Sequence, residues 1–469
     1  MPSADQNENE SYRVIVLRRC GTEVLVVPNG DRCTLPNVEI PRWQRVPATL
    51  AAALSSEWGV DVVALFEFQH DPLGDPGSIR YEAAEYLPGR SNPTSPGRWT
   101  EVSALDRDSL IDRRDYRAIQ RVLGVCDGKT EAALAGPFAR LGWFAELREW
   151  IESVVSPMGF RLTAEFRQLN ASPSFSLIRF ETSGPAVWFK AVGEPNQREF
   201  AITCTLSRLF PSHLPNVLAT RPDWNAWLTR ESEGRLLGDE QESGTWERVA
   251  AVLAELQINS WGRTPALAGA GVRDLSVGTL RKQIRPFVDI TQQLMQQQPK
   301  TPPPTLDRKE LLALGDRIGE AFDFLEAQEI PETLGHLDLN PGNIVVSATK
   351  CVFLDWAEAY VGNPFLTFQY LLEHFRRSHP RDSSAESQVL ESYAAPWCRI
   401  LSRDAIHAGL TVAPLLAAFS YMCGTGLLSD GERLKQVEFA GYLRGLARRM
   451  DREARAWVGS RKCTTQAVI

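Results

Sequence analysis

Gly335-His336-Leu337-Asp338-Leu339-Asn340-Pro341-Gly342-Asn343-Ile344-Val345-Val346, with Cys351-Val352-Phe353-Leu354-Asp355-Trp356 close behind, is the stretch whose reading decides the fold. Two short apolar runs of β type, Ile344 to Val346 and Val352 to Leu354, each have oxygen-bearing side chains at one end. A hairpin of these runs would bring Asp338, Asn343 and Asp355 to one mouth. Phosphoryl transfer from ATP needs such a trio. One carboxylate orients the attacking hydroxyl and accepts its proton, while an amide and a second carboxylate hold Mg²⁺.

The spacing His-x-Asp-x-x-x-x-Asn, with an aspartate following, resembles the catalytic loop of protein kinases. The Asn-Pro-Gly-Asn filling and Asp355-Trp356 resemble the aminoglycoside phosphotransferase and choline kinase group more closely. The resemblance implies an α+β, bilobal protein-kinase-like fold with a small β-rich lobe and a large helical lobe. It implies ATP, or another NTP, and Mg²⁺ as cofactors. Asp338 would be the catalytic base, Asn343 and Asp355 the metal ligands, and His336 a structural holder of the loop backbone. Two departures stand out. Leu337 occupies a place where the family usually has glycine, and is tolerable if it points into the lobe. Gly362-Asn363-Pro364 replaces Gly-Asp-Pro, and Thr367 stands near the aspartate that braces the loop in the family, which predicts a less stiff loop.

Upstream, Ser176 to Thr182, a Ser-Gly-Pro turn and Ala186 to Val192 read as a hairpin with Lys190 late in its second strand. Arg198-Glu199-Phe200 opens a helix-periodic segment through Leu209, so Glu199 can face back toward Lys190. In the resemblance, Lys190 would hold the nucleotide phosphates and Glu199 would hold the lysine. Asn225 to Leu237 resembles the segment that links the two lobes. On that alignment the backbone of Arg230 to Ser232 would hydrogen-bond adenine and Thr229 would line the pocket behind it. The phosphate-covering loop falls on Leu169 to Phe175, without the glycines of protein kinases. No Gly-x-x-x-x-Gly-Lys-Ser/Thr motif competes, and Gly269-Ala-Gly271 lacks a third glycine and a preceding strand.

A chain of 469 residues should hold two or three domains. Its 43% hydrophobic and 23% charged composition is that of an ordinary soluble protein, and a net charge of −7 argues against nucleic-acid or anionic-membrane partners. Eight scattered cysteines form no Cys-x-x-Cys, which points to reduced thiols rather than zinc or a disulfide framework. The polar, acidic first ten residues read as a disordered tail without an export signal, so a cytoplasmic location is expected. Ala408 to Leu428 is the one long apolar run; Pro414, Ser420 and its glycines make it a buried helix rather than a membrane span. Residues 140–238 are assigned to the small lobe and 239–460 to the large one, with helical spacing over Trp246 to Leu256 and Leu311 to Phe324. Gln296 to Pro304 reads as a stiff loop, and the tail after about Val458 as frayed.

Residues 11–125 form a separate pattern. Strands are expected at Tyr12 to Leu17, Glu23 to Val27, Val62 to Phe68 and Arg80 to Tyr86, and helices at Val46 to Glu57, closed by Gly59, and around Leu110. This resembles a Nudix domain of α/β/α type. Asn37-Val38 replace the glycine pair of the Nudix box, Gln44 replaces its first glutamate, and the helical run falls on Ala52 to Gly59. Glu57 alone of the three helix carboxylates remains, a poor cage for a hard divalent ion. The expectation is a fold without diphosphate hydrolysis that binds a ligand, shapes the acceptor site or mediates a homodimer. Its removal is expected to leave nucleotide binding in place.

Two classes of function follow: a small-molecule O-phosphotransferase, or a pseudokinase-type regulator in which both parts only bind. Retention of Lys190, Asp338, Asn343 and Asp355 together favours the first. Acceptor specificity in the resembling family lies in the large-lobe inserts. There Asp274, Asp289, Glu358 and Glu373 are candidates to meet a cationic substrate.

Overall fold

The computed structural model describes residues 9–69, 79–89, 97–128, 134–299, 302–380 and 382–466. The fold is mixed α+β, in two compact units. The first comprises residues 1–200 with 216–231, and the second 201–215 with 232–469. Most of the expected N-terminal tail lies outside the described residues, and Asn9 already opens a strand.

The first unit begins with seven strands in one sheet: β1 (Asn9–Arg18), β2 (Glu23–Asn29), β3 (Arg32–Thr34), β4 (Asn37–Pro41), β5 (Val62–Gln69), β6 (Arg80–Tyr86) and β7 (Arg98–Glu101). The order is β3-β2-β1-β6-β5, with β4 on β1 and β7 on β2, and only the β1–β6 pair is parallel. Strand β1 is apolar on both faces because both are covered. Tyr12, Val14 and Val16 pack with helix α1 (Val46–Trp58), and Ile15 and Leu17 with helix α2 (Arg113–Cys126). Helix α1 buries Pro47, Leu50, Leu54 and Trp58, one stripe at helical spacing. It ends where Gly59 turns left-handed at φ 60°, with the Gly59 and Val60 amides closing on the Ser55 and Leu54 carbonyls. Helix α2 starts later than the sequence suggested. Asp112 caps it through the Arg114 amide, and Leu110 instead bridges to Cys33.

The same unit continues with α3 (Trp143–Val155), β8 (Leu162–Ala171), β9 (Ser176–Thr182), β10 (Val187–Ala191), the start of α4 (Arg198–Leu209), β11 (Val217–Arg221) and β12 (Ala226–Arg230). The strands form an antiparallel sheet in the order β11-β12-β10-β9-β8. This sheet and the first one do not have separate cores. Ile15, Val63 and Leu65 belong to one apolar cluster with Phe144, Leu147, Phe180 and Phe189. Strand β8 is tied to β5 by a buried clip: the Gln168 side-chain amide donates to the Ala64 carbonyl (3.0 Å) and accepts from the Ala64 amide (2.8 Å).

The second unit is mainly helical. Its elements are β13 (Arg235–Leu236), α5 (Ser243–Ser260), α6 (Thr264–Gly269), β14 (Arg273–Leu275), α7 (Val277–Lys282), α8 (Ile284–Gln296), α9 (Arg308–Glu326), β15 (Thr333–His336), β16 (Ile344–Val346), β17 (Cys351–Phe353), β18 (Ala359–Gly362), α10 (Pro364–Ser378), α11 (Ser383–Trp397), α12 (Arg403–Gly424) and α13 (Val437–Gln466). Two three-stranded sheets, β13-β16-β17 and β14-β18-β15, carry the loops between them. Helix α12 is the one helix among the described residues long and apolar enough to cross a membrane. It packs against α9, α10 and α13 and buries Val412, Leu415, Leu416 and Phe419. Helix α13 runs to Gln466, beyond the point at Val458 where fraying was expected. Part of the Gln296 to Pro304 loop lies outside the described residues.

Candidate active site

The second unit holds Asp338, Asn343 and Asp355 by a set of mutual bonds. Strands β16 and β17 pair Ile344 with Phe353, so Asn343 and Leu354 flank the open end of a hairpin. There the Leu354 amide donates to the Asn343 carbonyl (2.8 Å). Asp355 follows in a left-handed conformation (φ 60°, ψ 63°). A non-glycine residue holds that region only where its surroundings fix it, and such residues cluster at functional sites.

His336 knits the loop to this hairpin. It is buried, its Nδ1 accepts the Asp338 amide (3.0 Å), and its Nε2 lies 3.1 Å from the Leu354 carbonyl. An accepting Nδ1 carries no proton, so Nε2–H is the donor and the ring is neutral. Burial lowers the imidazole pKa, against a smaller opposing pull from the Leu354 carbonyl and the Asp355 and Asp338 charges. His336 thus holds backbone at both ends of the site, the structural role expected of it. Leu337 is buried against the second unit's core, inward as its place requires.

Asp338 receives the Asn340 side-chain amide on Oδ1 (3.1 Å), and its backbone carbonyl receives that of Asn343 (3.0 Å). The N–H₂ end of Asn343 therefore serves the loop, and its oxygen end remains as an acceptor. Among the described residues no cluster of three or more His, Cys, Asp or Glu could hold a metal. An amide oxygen from Asn343 and a carboxylate from Asp355 fit an ion that takes only one or two protein ligands and completes its shell with phosphate oxygens and water, as Mg²⁺ does.

The brace expected to be missing is present in another form. The buried Thr367 hydroxyl, on α10, accepts the His336 amide (2.9 Å) and lies 2.8 Å from the Tyr360 hydroxyl. Tyr360 in turn reaches the Asn363 carbonyl (3.3 Å). The sequence reading missed this chain of hydroxyls. Its only signal was a β-branched alcohol three residues into a helix that opens Asn363-Pro364.

In the first unit, Lys190 on β10 meets Glu199 in the first turn of α4 at 2.6 Å. Glu199 is 2% exposed. A charge buried that deeply requires a partner. The Trp227 ring lies 5.7 Å from the lysine Nζ. Thr229 is buried in β12 opposite Trp188. The Arg230 amide donates to the Asn216 carbonyl (3.0 Å) and the Glu231 amide to Ala186 (2.9 Å), so both are engaged inside the sheet. Ser232 belongs to the second unit, where Gly234 (φ 125°) lies so near Val346 that a Cβ would sit 2.1 Å from its carbonyl oxygen. In the Leu169 to Phe175 segment, Leu169 to Ala171 end strand β8 and the rest is a turn. Its Ser172–Phe175 turn closes on itself and packs on Gly193, while the Phe138 amide donates to the Pro173 carbonyl (3.0 Å).

The acids suggested for a cationic substrate all have internal partners. Asp274 accepts from the Ser276 amide and the Thr279 hydroxyl, and Asp289 pairs with Arg285. Glu358 pairs with Arg273, and Glu373 with Arg449 and Arg377.

Residues 206–399 match the model of a phosphotransferase enzyme family, which supports a small-molecule phosphotransferase. No curated protein matches the chain. Solved structures similar to it include an aminoglycoside phosphotransferase-like protein of Ralstonia eutropha JMP134, at 15% identity and TM-score 0.46 over 67% of this chain and 98% of that one. Choline kinase LicA of Streptococcus pneumoniae aligns at 12% identity and TM-score 0.41, over 67% and 99% of the two chains. A spectinomycin phosphotransferase solved with ADP and spectinomycin aligns at 13% identity and TM-score 0.39, over 65% and 98%.

Proposed function

We propose, from the phosphotransferase-family match over residues 206–399 and the loop chemistry, that this protein is an ATP- and Mg²⁺-dependent O-phosphotransferase. Its acceptor is a hydroxyl of a small molecule such as an aminoglycoside, an amino alcohol or a sugar-like metabolite. The observation that carries the reading is the fixing of Asp338. Its backbone is held by His336 and Asn343, and the Asn340 amide on Oδ1 keeps the side chain in place as an acceptor. A carboxylate so held can align an incoming hydroxyl and take its proton as the phosphoryl group leaves ATP.

Lys190, steadied by Glu199, neutralises the α- and β-phosphates. Thr229 lines the space behind adenine. The backbone of Arg230 to Ser232 binds the base; because the Arg230 amide is engaged with Asn216, the carbonyls and the Ser232 amide carry this contact. Asn343 and Asp355 hold Mg²⁺, which when bound neutralises charge developing on the phosphates. Since Asp274, Asp289, Glu358 and Glu373 are already paired, neutral polyols belong among the acceptors tested alongside cations.

Residues 11–125 are read as a Nudix-like domain that does not hydrolyse diphosphates. A sheet between α1 and α2 fits that fold, and Ala53 and Ser56 stand where two of the three helix carboxylates would be.

The test is ATP consumption against aminoglycosides, choline, ethanolamine, sugars and nucleosides. Asp338→Ala is expected to lower acceptor-dependent turnover by about 10²–10⁴ while ATP affinity is kept. ATP binding with no acceptor-dependent turnover from the whole panel would sink the reading in favour of a binding-only regulator.

A further inference from the structure

A cavity of about 560 Å³ opens in the first unit between α1 and β8, away from Lys190 and Glu199 in the residues that line it. Two clips hold its walls apart from chance opening. Gln168 fastens β8 to the Ala64 backbone of β5, and Arg45, at the start of α1, donates to the Asn170 Oδ1 on β8 (2.8 Å). The site is therefore formed before any ligand arrives, as small-molecule sites usually are.

Its chemistry is mixed in a specific way. Arg167 lines the cavity, and among the described residues no carboxylate pairs with it. Asp61 contributes a carboxylate that already accepts the Ser55 hydroxyl on Oδ1 (2.9 Å), and a carboxylate has lone pairs for more than one donor. The Gln44 Oε1 is occupied by the Thr49 hydroxyl (3.0 Å), which turns the N–H₂ end of that amide to other acceptors. Ala48, Ala51 and Ala52 give the α1 wall a shallow apolar face, at a spacing that puts them on one side of the helix.

We propose that this cavity binds the phosphomonoester of a ribose-sized polyol, with or without an attached base. Arg167 takes the phosphate through its forked N–H groups. Asp61 accepts from the sugar hydroxyls, and Gln44 donates to an oxygen of the ring or base. The alanine face receives the flat apolar side of the sugar or base. The volume lies within the roughly 300–1,000 Å³ of small-ligand sites. The site is independent of the transfer reaction proposed above.

Calorimetry on the full chain with ribose 5-phosphate, AMP, adenosine, ribose and inorganic phosphate tests it. Ribose 5-phosphate is expected to bind, and Arg167→Ala to weaken it at least tenfold. Asp61→Asn is expected to weaken it less. Lys190→Ala, which disables the proposed nucleotide site, should leave ribose 5-phosphate binding unchanged. A further gain for AMP over ribose 5-phosphate that survives Lys190→Ala would assign the base to the same cavity. Arg167 is exposed, so its removal should spare the fold, which circular dichroism checks. No binding of ribose 5-phosphate, binding equal to that of inorganic phosphate, or binding indifferent to Arg167→Ala would each overturn the proposal.

Discussion

One hydroxyl, that of Thr367, braces the loop at His336 from the position where the resemblance led to the expectation of a carboxylate. It is fully buried and is the acceptor for the His336 amide. Thr367→Val keeps the shape and removes the acceptor, leaving a buried N–H unpaired at a cost of about 1–3 kcal/mol. The denaturation midpoint and kcat should both fall, and Thr367→Ser should restore them; a valine variant with wild-type stability and turnover would refute the brace. His336 makes a second prediction, in pH. Its folded pKa lies below the ordinary value, so between that value and about 6.5 the unfolded chain binds a proton that the fold does not. The stability it contributes is present above pH 6.5 and is lost as pH falls toward the folded pKa. His336→Gln should flatten that part of the curve, so denaturation of both forms from pH 7 to 5 should give a shallower slope for the variant. The grouping of Asp338, Asn343 and Asp355 was legible in the sequence because it depends on local spacing. Thr367 was not, because its partner lies 31 residues away.

Among the elements, β8 depends on a side chain acting as backbone. At Ala64, where the β5–β6 register shifts, Gln168 satisfies both the amide and the carbonyl. Gln168→Leu would bury two unpaired groups, each costing about 1–3 kcal/mol. A lower unfolding midpoint and faster hydrogen exchange at the Ala64 amide are expected, and unchanged exchange would show that β8 is held by packing alone. Helix and strand identity came readily from periodicity, as in α1, α5 and α9. The start of α2 did not. Leu110 looks like a helix residue, but its bridge to Cys33 and the Asp112 cap set the start at Arg113. Apolar spacing reports a buried face and says little about where a cap falls.

At the scale of the whole molecule, residues 11–125 and the sheet that carries Lys190 share a core. Removing residues 1–130 takes away Ile15, Leu17, Val24, Val63, Leu65 and Phe66, among others, from a cluster that includes Phe144, Leu147 and Phe180. Each such side chain contributes about 1.5–3 kcal/mol when buried, so the loss is at least as large as the roughly 5–15 kcal/mol that holds a typical domain folded. Removal is therefore expected to destroy nucleotide binding, contrary to what the sequence suggested. Chain 131–469 should be insoluble or bind a hydrophobic dye strongly. A soluble truncation that binds ATP like the full chain would mean that the shared core is dispensable.

The sequence by itself determined the arrangement of the loop from His336 to Asp355, the Lys190–Glu199 pair and the type of most elements. Each rests on residues near one another in the chain or on a regular spacing that a reader can count. Only the tertiary structure decided that a threonine braces the loop, that four acids are already paired, that a glutamine fastens β8 to β5, and that two sheets share one apolar cluster. Those outcomes depend on which side chains meet after the chain has folded, and contacts between distant residues leave no periodic trace in a single sequence.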